Sequence, residues 1–250
     1  MTAASVIAAL CLPADARVDQ RVPKKLLVEN GAPTAADKRQ INDGIEELHW
    51  LAALKPATIG VPIFRDDTRE YLEIAVLSAT LRAGAKTTRI CELIHRAIPY
   101  PALLLTTLAE TVTVSVAHKR WSQGEAGRVV LDDAASIAVL AGTEEEVAFL
   151  AALPFPALPR ADLRALYQGW HDAILALSAA RLTGTFHLAE TPAATTSRRV
   201  ALAEHERLTR EIASLRARAG KETQLNRRVE LNLQLQQLES SLTQQMKRLA

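Results

Sequence analysis

Apolar positions recur along this chain with two periods, and the change from one to the other divides it into elements. From Ser197 to Ala250 the helical period dominates. Leu208, Ile212, Leu215 and Ala219 fall at 4-3-4 spacing, and Leu231, Leu235, Leu238 and Leu242 repeat it, which is the seam of a coiled coil or helical hairpin. These 54 residues contain no proline and one glycine. The two seams are out of step: continuing the second one backwards puts Arg228, Gln224 and Lys221 on the apolar line, so the helix must change course near Gly220. The arm is then either a hairpin or a single rod about 80 Å long at ~1.5 Å per residue.

Before the arm the periods alternate. The opening apolar run reads as a buried element, and Pro13 to Asn30 as a basic extended segment around Pro23. Thr34 is a candidate N-cap, and Ile41, Ile45, Leu48 and Ala52 predict one helix from Ala35 to Leu54, ended by Lys55-Pro56. Thr58 to Phe64 and Tyr71 to Leu81 predict a β-hairpin whose turn holds Asp66 and Asp67. A helix over Lys86 to Ala97 follows, then strands over Ala102 to Leu108, Thr111 to Ala117 and Arg128 to Leu131. The second alternates Val112, Val114 and Val116 with Thr111, Thr113 and Ser115, the pattern of a half-buried strand. Thr143 with Glu144 to Glu146 starts a short helix. Pro154, Pro156 and Pro159 make a linker, Arg160 to Leu182 a long helix, and Gly184 to Ser197 a second linker. The expected class is α+β: a small mixed sheet domain with flanking helices over 1–153, a linker and packing helix over 154–196, and the helical arm over 197–250.

Charge adds an asymmetry. The formal net charge is +2, but the arm holds 11 Lys/Arg against 6 Asp/Glu, net +5, leaving 19 against 22, net −3, for the rest. A basic arm suits an acidic partner such as double-stranded DNA and equally suits a solvated helix face. Cys11 and Cys91, the only cysteines, lack the number for a disulfide framework and the spacing for a metal site, which points to a reducing cytoplasm. No run approaches the ~18 apolar residues of a membrane span, and the first apolar run lacks the basic residues that precede a signal sequence.

The motifs of chemistry are sparse. There is no glycine-rich phosphate loop, nucleophile elbow or pair of cysteine pairs, and no cofactor or metal is expected. Cys91 and His95 lie four apart on a helix without a second pair of ligands. Asp66, Asp67 and Glu73 could form the carboxylate cluster of a metal-dependent nuclease, but Ala75 stands where such sites usually carry lysine. Arg21, Lys24 and Lys25, and Lys119 and Arg120 beside His118 and Trp121, are candidate phosphate contacts. Asn226, Arg227, Arg228 and Asn232, with Leu235 and Leu238, mark a docking epitope or a contact within the arm.

Four stretches carry a resemblance: Asp19 to Lys25, Leu54 to Ile59, Ile98 to Pro101, and above all Lys221 to Asn232. Together they resemble a bacterial domain-of-unknown-function family, over about Leu10 to Leu249. That resemblance implies small cytosolic proteins often encoded beside helicase and DNA-methyltransferase genes in restriction and phage-defence clusters. It assigns no catalytic residue, and this chain has Leu26, Leu27 and Leu225 where the family tends to carry aromatics. The resulting expectation is a non-enzymatic adaptor that docks helicase, methyltransferase or nuclease subunits, and DNA. A divergent nuclease, and a structural protein whose arm pairs with its own copy, are the alternatives.

Overall fold

The computed structural model describes residues 1–125 and 127–249. The chain forms two compact units, Met1–Ile174 and the remainder from Leu175.

The first unit is built on a six-stranded sheet of order β1-β2-β5-β6-β7-β10: Arg17–Arg21, Ile45–Leu54, Ile74–Leu81, Ala102–Leu108, Thr111–Val116 and Ser136–Leu140. All neighbours are antiparallel except β5 and β6, which are joined through helix α5 (Thr87–Ala97), because parallel neighbours need a crossover. Helices α2 (Lys24–Gly31), α3 (Ala35–Gly44) and α5 cover one face, where Ile41, Ile45, Leu48, Leu77, Ile90, Leu93, Ile94 and Leu104 form a continuous core. Each such side chain contributes about 1.5–3 kcal/mol by leaving water. Helix α2 approaches α5 closely at Gly31, where a Cβ would stand 2.5 Å from the Leu93 carbonyl oxygen and 2.8 Å from Ala97 Cβ. The opposite sheet face carries Ile74, Val76, Leu103, Leu105, Val114 and Val116, all fully buried.

The helix expected over Ala35 to Leu54 is half helix and half strand. It stops at Gly44, and the chain continues as β2 between β1 and β5. Two register shifts in β2, between Ile45 and Glu47 and between Trp50 and Ala52, each insert an extra residue. The first brings Ile45 and Leu48, three apart, onto the same face, and the second turns Ala52 to the opposite face beside Val76; with both faces buried, Ile45, Leu48 and Ala52 mimic a helical spacing. The hairpin expected from Thr58 to Leu81 is also smaller than anticipated. Pro56–Ile59 is a short helix (α4), β3 (Phe64–Arg65) pairs with β4 (Glu70–Tyr71), and Ile74–Leu81 is a central strand of the main sheet. Strand β10 was not anticipated from the Ala-rich segment after Asp132. Strand β7 has the expected period-two pattern but is buried on both faces, with Thr113 and Ser115 at 2% and 0% exposure. The polar face is covered by α5, whose Cys91 and His95 supply hydroxyl partners: Cys91 Sγ lies 3.8 Å from Thr106 Oγ1 and His95 Nε2 3.0 Å from Ser115 Oγ.

The short helix at Thr143 is α6 (Glu144–Ala151), and the long one α7 (Leu163–Thr183). Beyond α7, the second unit contains α8 (Pro192–Lys221) and α9 (Leu225–Leu249). Thr191 caps α8, accepting from the Ala194 N–H at 3.2 Å, so the arm begins earlier than Ser197. The arm is a hairpin. Ile212, Leu215 and Ala219 pack on Leu231, Leu235, Leu238 and Leu242, while Ala201 and Leu249 meet at the far end with Ala179. An Arg216–Glu239 ion pair of 2.6 Å crosses between the helices. The change of register deduced near Gly220 is the turn after Lys221.

Candidate functional site

In the sheet unit, polar chemistry concentrates on the segment from Ala117 to Trp121, where the chain leaves β7 and becomes strand β8 (Lys119–Trp121), paired with β9 (Val129–Leu131). Alternation sends successive side chains in different directions. His118 enters an aromatic nest, with ring centroids 6.1 Å from Tyr71, 5.2 Å from Tyr167 and 5.1 Å from His171. Tyr71 Oη lies 2.5 Å from His118 Nδ1. Which of the two donates depends on the ring tautomer, and among the described residues His118 Nε2 meets no hydrogen-bond partner. Burial, aided by His171, Arg164 and Arg69 nearby, pushes His118 down to about 3, so it is a neutral ring at working pH. Burial likewise pushes Tyr71 up to about 12. His171 Nε2 is 3.0 Å from Ser136 Oγ, and the Arg164 guanidinium lies over Phe64 at 5.1 Å.

Lys119 points the other way. It is 3% exposed, and its ammonium donates to the carbonyl oxygens of His95 and Ile98 at the end of α5. A cation there meets the negative end of the helix, while burial pushes its pKa down to about 7. Arg120 turns back to Asp132, at 3.3 Å, and Asp132 also accepts from Arg69 Nε at 3.1 Å. Lys119 and Arg120 are thus neighbours with different partners: one secures a helix end, and the other shares a carboxylate with Arg69.

The remaining basic candidates sit elsewhere. Arg21 is exposed at the end of β1. Lys24 donates to the Asn42 carbonyl at 3.1 Å, beside Arg82 Nη1, which donates to the same oxygen at 3.2 Å. Burial, Arg82 and Arg21 together lower the Lys24 pKa, the mark of crowded cations. Lys25 is exposed and pairs with Glu29 at 3.7 Å. Arg21, Lys24 and Arg82 therefore form one patch, with Lys25 following Lys24 on α2.

The carboxylates of the nuclease reading have separate partners. Asp66 Oδ1 accepts from the Thr68 N–H, the Thr68 hydroxyl and the Arg69 N–H at 2.6–2.8 Å, and its pKa is lowered by those bonds, the Thr68 N–H first. Asp67 is exposed in the same turn. Glu73 is 7% exposed and bonds Lys55 Nζ at 2.9 Å. Among the described residues, no three His, Cys, Asp or Glu gather as metal ligands.

On the arm, Leu235 and Leu238 belong to the intra-hairpin seam. Asn226, Arg227, Arg228 and Asn232 are exposed. They accompany a stripe that periodicity alone did not single out: Leu225, Val229 and Leu233 are 64%, 50% and 56% exposed. At ~100° per residue they lie about half a turn from the seam. Sequence reasoning also passed over Arg69, Asp132 and His171, which are far apart in the chain and converge only through the sheet.

Among the described residues no helix is long and apolar enough to cross a membrane. Comparison with curated proteins and with solved structures gave no match. Over residues 10–242 the sequence matches the model of a family described as a domain of unknown function, DUF4391, and by that match the chain belongs to the family.

Proposed function

We propose that this protein is a non-enzymatic accessory subunit of a bacterial antiviral system of restriction type, acting in the cytoplasm. It would hold a helicase, methyltransferase or nuclease partner through the outer face of α9. The observation that supports this reading is the exposed apolar stripe Leu225, Val229 and Leu233, set among Asn226, Arg228 and Asn232 on a helix whose other face is already occupied. An i, i+4, i+8 apolar row is the form in which a helix offers itself to a partner groove. The Arg21, Lys24 and Arg82 patch, with Lys25, provides a second contact, to a DNA backbone, whose strength would fall with salt. Pull-down of the products of neighbouring genes by the full chain, with duplex DNA binding measured at low salt, tests the proposal. Binding to neither overturns it.

A second reading, self-pairing of the arm, is favoured by one feature: the sequence about Val229 is self-complementary at three of its four flanking pairs. In an antiparallel pair centred there, Leu225 meets Leu233, Asn226 meets Asn232 and Arg228 meets Glu230 of the other copy, the self-complementarity that a two-fold interface requires. Light scattering on the full chain distinguishes the two, since a monomeric mass rules out self-pairing.

A further inference from the structure

Strand β9 is bonded on one edge only. The Ser122 N–H donates to the Arg128 carbonyl at 2.8 Å and the Asp132 N–H to the His118 carbonyl at 2.9 Å. These bonds make 122↔128 and 118↔132 hydrogen-bonded pairs, and because such pairs alternate in an antiparallel ladder, Arg120↔Val130 is the bonded pair between them. Trp121↔Val129 and Lys119↔Leu131 are the non-bonded pairs, so the backbone groups of these four residues point away from the ladder. On the β8 side the Trp121 N–H is used, donating to the Thr68 carbonyl at 2.8 Å. On the β9 side, the N–H groups of Val129 and Leu131 meet no partner among the described residues.

That open edge borders a groove of about 660 Å³, lined along one strand by Gly127 to Leu131 and elsewhere by the end of α2, Gly31 to Pro33, and the end of α5. The three residues of β9 span about 10 Å at ~3.3 Å each. The charged side chains of the lining are Arg96, Lys119 and Arg128 against Glu29. Lys119 is buried and bonded to the His95 and Ile98 carbonyls, so the accessible charges are Arg96 and Arg128. Among the described residues, Arg96 and Arg128 are held by surface pairs with Glu92 and Glu125, which exchange partners at little cost.

We propose that this groove receives an extended acidic peptide from a partner protein as an added strand. Its backbone would bond the Val129 and Leu131 edge, and its carboxylates would meet Arg96 and Arg128. Strand addition takes affinity from main-chain bonds and selectivity from the groups flanking the edge. The groove deepens the adaptor reading by naming a second docking element and the chemistry of its partner. It lies on the sheet unit, so the two proposals fail separately.

The test uses the full chain and a fluorescein-labelled seven-residue peptide of alternating valine and threonine with two glutamates. Two controls accompany it: the same peptide with lysine for glutamate, and one N-methylated at alternate amides. Fluorescence anisotropy should show saturable binding of the acidic peptide, at least tenfold weaker binding of both controls, and a tenfold loss on Arg128→Glu. Val129→Pro removes one of the two edge donors without touching a β8 bond and should weaken binding at least tenfold. The N-methylated peptide gives the same information if that variant fails to fold. No binding of the acidic peptide at millimolar concentration, or equal binding of the N-methylated form, overturns the proposal.

Discussion

Tyr167→Phe isolates one hydroxyl on which the polar segment of the sheet unit depends. Tyr167 Oη donates to the Ala102 carbonyl at 2.8 Å and accepts the Ala117 N–H at 2.8 Å, so it ties the start of β6 to the end of β7, just before His118. Tyr167 and Ala102 are fully buried and Ala117 is 1% exposed. Burial also holds the phenol far above its ordinary pKa, so it stays protonated at any working pH. Phenylalanine keeps the ring and its packing, so no cavity term arises. What is lost is one donated and one accepted bond, leaving a buried N–H and a buried carbonyl without partners. Each orphan costs about 1–3 kcal/mol, partly offset because the hydroxyl no longer has to be desolvated. A net loss of about 2–4 kcal/mol follows, which lowers Tm by roughly 5–15 °C for a protein of this size. Thermal and urea unfolding by circular dichroism would measure it, with amide exchange at Ala117 as the local readout. A change under about 0.5 kcal/mol with Ala117 still protected would refute the assignment of this hydroxyl.

The remaining predictions concern other positions. Glu146, fully buried, accepts N–H bonds from Ala141, Gly142 and Thr143 at 2.6–3.3 Å, so Glu146→Ala should cost about 2–3 kcal/mol in urea unfolding, and Glu146→Gln less. In the arm, Leu235→Asp places a charge against Ile212 and Leu215 and should cost several kcal/mol, roughly the lost burial plus desolvation; an unchanged melting curve would show that the seam faces water. His95 and His118 both have folded pKa values of about 3 through burial, below their unfolded value of 6.5. Their contribution to stability is therefore present above pH 6.5 and lost as pH falls toward 3, at about 1.4 kcal/mol per pH unit for each; a urea midpoint that stays flat over that window contradicts their burial as neutral rings. Ala109 holds φ +53° in the two-residue turn between β6 and β7, so Ala109→Gly should stabilise by about 0.5–1 kcal/mol, read as a higher urea midpoint.

Much of the architecture was legible where one force decides the pattern. The 4-3-4 leucine lines specified the arm, and their mismatch specified its turn, because a helix seam has a single period. Strand β7 was legible through its valines. The chain was misread where a second force intervenes: a bulge in β2 puts Ile45 and Leu48 three apart on one face, and burial of both faces adds Ala52 from the other. The covered hydroxyl face of β7 could not be seen in its own residues, since Thr113 and Ser115 are polar whether water or His95 lies above them. The candidate sites divide in the same way. His118 to Trp121 was marked by its basic and aromatic composition. That Lys119 would be buried depends on where α5 ends, which no local spacing encodes. Leu225 and Val229 lie in the stretch of strongest family resemblance and Leu233 directly follows it, yet a seam search passes over the stripe because it occupies the opposite face.

The most direct test of the adaptor account is pull-down of the neighbouring gene products by the full chain carrying Val229→Asp and Leu233→Asp. Both positions are exposed, so the account predicts an unchanged melting temperature with loss of the partner from the eluate. A partner retained at wild-type yield would contradict it.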